Sequence, residues 1–179
     1  MKKIYILLTR TQTSIARAIY RITKGQYTHT SITLEPTTKN FHSFARTVKW
    51  TFLIAGYVNE DTHTFVFAKY QCCPCGLFAL EVSDEAYEKM RAKIDDIRLN
   101  KKKYHYNFLG LISNIFHKKV DFKNHYNCAQ FVAMVLNESG EIKLPHDPAL
   151  MRPMDFLRID GVREIYSGTI GECSFDDIT

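Results

Sequence analysis

The chain has 179 residues, of which 45% are hydrophobic and 24% charged, with a formal net charge of +5. That balance suits one soluble globular domain over residues 1–179, with a core of useful size. The basic residues are dispersed apart from Lys101-Lys102-Lys103 and Lys118-Lys119, which argues against a nucleic-acid surface, and no run approaches the ~18 apolar residues of a membrane span.

Residues 3–9 predict a buried first strand. Residues 13–24 predict a helix with Ile15, Ala18, Ile19 and Ile22 as its apolar stripe, Thr13 as cap and Gly25 as stop. Residues 28–35 alternate and are β-branched, which predicts a strand. A polar turn at 36–40 and a returning strand at 41–48 complete a hairpin. Residues 49–62 carry no clear pattern. Residues 63–70 and 77–82 read as two further strands around Cys72-Cys73-Pro74-Cys75-Gly76. Ser83 caps a helix that runs to about Leu99, with Tyr87, Met90, Ile94 and Ile97 on one face. Residues 104–117 predict a short helix after an aromatic loop, and the tail carries three prolines and a short strand at 162–166. The expected fold class is α+β, an antiparallel sheet packed with helices.

The window Asn124-His125-Tyr126-Asn127-Cys128-Ala129-Gln130-Phe131-Val132 reads as a loop that becomes a helix at Asn127. Asn127 and Gln130 have the spacing of a capping box. Cys128 takes the first helical position, and Phe131, Val132, Val135 and Leu136 continue its stripe to about Gly140. A helix N-terminus favours thiolate over thiol. Read alone, the window equally fits a small apolar residue that begins a core helix.

A working thiol needs a base, and the base needs a third group to hold it. Of seven His, His29 opens a strand and shares its face with Ser31 and Thr33. By itself such a histidine also reads as a surface residue. Five Cys, three of them clustered, make a poor disulfide framework, and no signal peptide is evident; a reducing cytoplasm is the expected location. Cys72, Cys73 and Cys75 with His63 lack the spacing of a paired zinc site, so no metal and no cofactor is expected. His146-Asp147 reads as a turn.

Taken together, Tyr27-Thr28-His29-Thr30-Ser31-Ile32-Thr33-Leu34 and, about 100 residues later, Tyr126-Asn127-Cys128-Ala129-Gln130-Phe131-Val132 resemble the NlpC-type, papain-like cysteine peptidases. The histidine strand precedes the cysteine helix, as in the circularly permuted branch that holds the YiiX-like hydrolases and the lecithin-retinol acyltransferase-like proteins. The resemblance implies Cys128 as nucleophile, His29 as general base and an orienting group on the strand after the histidine strand. His42 and Ser43 are the candidates there, and the strand register decides which of them faces His29. The resemblance also implies that Tyr106 lines the oxyanion site, although an aromatic packed into the core fits Tyr106 as well. The implied activity is a cysteine hydrolase cleaving a peptide or amide bond through a thioester. Lipid or thioester acyl transfer and a catalytically inactive peptide-binding domain are the alternatives, and no hydrophobic C-terminal anchor supports the lipid reading.

Overall fold

The computed structural model describes residues 1–11, 14–47 and 54–175. It is an α+β fold built on a six-stranded antiparallel sheet in the order β4-β3-β2-β1-β5-β8, with helices against it. The strands are β1 Lys2–Thr9, β2 His29–Thr33, β3 Phe41–Arg46, β4 Ala55–Glu60, β5 Pro74–Val82 and, beyond the short strands β6 His105–Tyr106 and β7 His125–Tyr126, β8 Arg163–Thr169. The helices are α1 Ser14–Thr23, α2 Phe65–Lys69, α3 Asp84–Leu99, α4 Phe108–Ile115 and α5 Cys128–Glu138.

β1 is central because its sequence is apolar on both faces: Ile4, Ile6 and Leu8 turn to one side, Tyr5 and Leu7 to the other. The first face packs on α3 and α5 through Met90, Ile94, Phe131 and Val132. The second is covered by Phe67 of α2, by Cys73 and Cys75, and by Ile170 and Cys173 of the tail. α3 starts where expected: the Ser83 hydroxyl accepts from the Ala86 N–H at 3.1 Å, and Asp84 and Glu85 complement the helix dipole. Its buried face is Ala86, Met90, Ile94 and Ile97, with Tyr87 only half-buried.

Three expectations change. Residues 63–70 contain a helix, α2, rather than a strand. Thr64, Phe65, Val66 and Phe67 have β propensity, but the Asp61 side chain accepts from the His63 N–H at 2.8 Å and turns the chain into a helical start. The patternless stretch 49–62 holds β4. Helix α1 forms, but Ile22 points to solvent, and the left-handed residue at its end is Lys24 (φ 53°), not Gly25. Thr13 and Val48 lie outside the described residues, as do the side chains of Ile15, Ala18 and Ile19.

Candidate active site

The Asn127 capping box forms in both directions. The Asn127 side chain accepts from the Gln130 N–H, and Gln130 Oε1 accepts from the Asn127 N–H, each at 3.0 Å. A cap of this kind is worth about 1 kcal/mol. Phe131, Val132, Val135 and Leu136 are fully buried, which fixes the helix against the sheet and holds Cys128, 5% exposed, at its first turn. The two-residue strands β6 (His105–Tyr106) and β7 (His125–Tyr126) pair in parallel, so Tyr106 lies opposite Tyr126, two residues before Cys128. Asn107 locks this arrangement. Its amide donates to Gln130 Oε1 at 3.1 Å and to the Val120 carbonyl at 3.0 Å, while its oxygen caps α4 through Gly110.

The His29 ring is hydrogen-bonded to the Glu60 carboxylate, with Nε2 3.1 and 3.0 Å from its two oxygens, and lies close enough to the Cys128 sulfur for the two to interact electrostatically. Nε2 is thereby occupied, which leaves Nδ1 as the nitrogen available to sulfur. Burial alone would pull the imidazole down. The Glu60 charge and the Cys128 sulfur outweigh it and hold His29 well above its ordinary value. Tyr106 stands close enough to feel a charge on the sulfur: burial first, then Cys128, push its phenol well above 10.

The side chain bonded to His29 is therefore Glu60, and neither His42 nor Ser43 is. Ile32 pairs with His42, which puts His42 on the Ile32 face and Ser43 on the His29 face. Ser43 has the right face, but its hydroxyl donates to the Thr30 carbonyl at 2.7 Å. Alternation also sends Glu60 to the Ser43 face, since Phe41 pairs with Glu60 and Ser43 with Val58. Small residues such as Ser31 and Ser43 on this face leave the space in which imidazole and carboxylate meet. Glu60 escaped the sequence reading because it sits in the stretch without a clear period.

His42 has a different life. Its Nδ1 lies 2.7 Å from the Tyr57 hydroxyl in the core. Burial, then Arg98, lowers it to about 4, and burial raises Tyr57 to about 12, so the pair is neutral. In the unfolded chain His42 takes up its proton near about 6.5, in the folded one near about 4. Between these values the unfolded state binds more protons, so stability falls as pH falls. Urea midpoints at pH 7 and 4.5 are expected to drop further for the wild type than for His42→Gln. The residue contributes at most about 3 kcal/mol to that loss; equal drops would remove His42 as the cause.

A cavity of about 190 Å³ reaches Cys128 and is lined also by Asn127, by Thr28, by Leu111 and Ile115 of α4, and by Met154. Arg152, also in its wall, was not anticipated. Its Nε donates to Asn114 Oδ1 at 3.2 Å and its Nη2 to the Asn114 and Ile115 carbonyls, which ties the tail to the end of α4.

The remaining expected features lie elsewhere. Cys72 is exposed and Cys73 is buried. Cys75 and Cys173 are buried free thiols in the same cluster on the far sheet face. Among the described residues no group of three or more His, Cys, Asp or Glu is arranged to hold a metal. His146 lies 3.7 Å from Asp155, and Asp147 caps the turn of 148–150 and pairs with Lys119. No helix among the described residues is long and apolar enough to cross a membrane. Compared with known proteins, the chain matches no family model and no curated sequence.

Proposed function

We propose that the protein is a cysteine hydrolase of a permuted papain-like fold, cleaving an amide or peptide bond through a thioester on Cys128. The observation that carries this reading is the single ring of His29, hydrogen-bonded to the Glu60 carboxylate and within electrostatic reach of the Cys128 sulfur. His29 Nδ1 takes the thiol proton as sulfur attacks the carbonyl carbon. The Cys128 N–H, free of an intrahelical partner at the first helical position, meets the developing oxyanion, and Tyr106 borders the same place. The imidazolium returns the proton to the leaving amine. Water, deprotonated by His29, then opens the thioester, giving a carboxylate and the free thiol. Glu60 holds the ring and offsets its charge throughout.

Acyl transfer to an acceptor other than water would use the same thioester. The apolar walls at Leu111, Ile115, Met151 and Met154 favour an apolar acyl group in either case.

Reactivity separates this reading from a non-catalytic binding domain. Iodoacetamide at pH 6 is expected to alkylate Cys128, 5% exposed, faster than the exposed Cys72, and His29→Ala is expected to abolish that preference. Peptide mapping that finds Cys72 modified first and Cys128 intact would sink the proposal.

A further inference from the structure

Helix α4 has its two faces dressed differently. Leu111, Asn114 and Ile115 turn to the cavity. Leu109, Ile112 and Phe116 recur at the helical period on the opposite side and are 62, 56 and 68% exposed. Phe122 and, on α1, Tyr20 and Ile22 are exposed as well. α1 packs against α4, and both elements border the cavity, through Thr23 and Leu111. Large apolar side chains are thus gathered on the two helices that flank the cavity, where a stable core has no use for them.

The charge around them is predominantly basic, with Asp121 as the acidic exception in the loop after α4. No Asp or Glu occurs from Arg10 to Leu34, or from Ile97 to Val120. Arg17, Arg21 and Lys24 are exposed on and just after α1, and Lys118 and Lys123 follow α4, all at the surface. The net charge of the whole chain therefore has its basic excess concentrated in the segments that carry the apolar residues.

We propose that this surface of α1, α4 and the loop after α4 docks on an anionic lipid bilayer, with Leu109, Ile112 and Phe116 entering the headgroup boundary and the flanking Arg and Lys meeting lipid phosphates or carboxylates. An apolar stripe rimmed by cations is the combination an interfacial helix uses. A second copy of the chain is a poorer occupant, because a two-fold contact would bring the same cations face to face. A soluble polyanion would engage the cations and leave the apolar side chains in water. The inference does not depend on catalysis, and the Cys128→Ala protein serves equally for its test.

The test is co-sedimentation of the full chain with vesicles of phosphatidylcholine alone and of phosphatidylcholine with 30% phosphatidylserine. The wild type and Cys128→Ala are expected to pellet with the anionic vesicles only, and less at raised salt. Ile112→Glu and Phe116→Glu are each expected to lower the bound fraction about 10-fold, with unchanged circular dichroism, since both side chains are exposed. Lys118→Glu should weaken binding to a smaller degree. No pelleting of the wild type overturns the proposal. So does pelleting that Phe116→Glu leaves intact and heparin abolishes, which marks a polyanion site. A concentration-dependent dimer that Phe116→Glu dissolves, without vesicle binding, overturns it in favour of self-association.

Discussion

In a single-turnover acylation assay with an activated ester, His29→Ala is expected to slow thioester formation at Cys128 by about 10³–10⁴-fold, with the fold retained. A positioned general base is worth about 10²–10⁴ in rate, and a nucleophile and its base act as one unit, so removing either removes most of the joint effect. The ring stands at the first residue of β2 and is 14% exposed, as Glu60 is 15% exposed, so water can reach the carboxylate left behind. Circular dichroism and a thermal melt provide the folding control, and His29→Gln, which keeps the polar volume, provides a second variant. A loss below about 10-fold in both would mean that some other group takes the thiol proton, and the assignment of His29 would fall.

Glu60→Ala is expected to slow the same step by about 100-fold, because a released imidazole samples wrong orientations and loses the charge that offsets its protonation. His42→Ala and Ser43→Ala are expected to stay within about 3-fold of wild type, since the first bonds Tyr57 and the second the Thr30 carbonyl. Rate alone would not separate positioning from a general loosening of β4. The pH profile does. The Glu60 charge raises His29 well above its ordinary value, so the imidazolium persists to higher pH in the wild type. Glu60→Gln keeps a hydrogen-bonding side chain and removes the charge, so His29 becomes a free base at lower pH and the acid limb of the acylation profile is expected to move to lower pH. An unmoved limb with a slowed rate would reduce Glu60 to a structural role. A slowed His42→Ala with an unaffected Glu60→Ala would return the orienting role to His42.

The Cys128 end of the site was readable because its determinants are local. Asn127, Cys128 and Gln130 lie within one helical turn, and the buried stripe after them has an unambiguous period. His29 was readable for a similar reason: short-range alternation marks its strand. The partner of His29 was not, because it depends on pairing. Which of His42 and Ser43 shares the histidine face is decided by one register, Ile32 against His42, that a polar turn does not fix. Glu60 is a strand further away, and its meeting with His29 depends on small side chains left between them on the same face. The misreading of residues 63–70 has the opposite origin. There a local signal, the β propensity of the aromatic run, was overruled by one side-chain bond from Asp61. Arg152 had no local signal at all, since its role is to close the end of a helix almost 40 residues earlier in the chain.

The order of the site along the chain also fixes its timetable during synthesis. His29 and Glu60 leave the ribosome first, and at about 5–20 residues per second Cys128 follows several seconds later. For that interval the residues of β2 and β4 have been made and the thiol has not. Even then Cys128 is unpaired with His29 until α5 docks its buried face on the sheet, a long-range event that comes late in folding. A nascent or truncated chain that stops before residue 138 therefore carries no assembled thiol–imidazole pair. Modification of Cys128 by a slow thiol reagent would then report completion of the fold rather than synthesis of the residue.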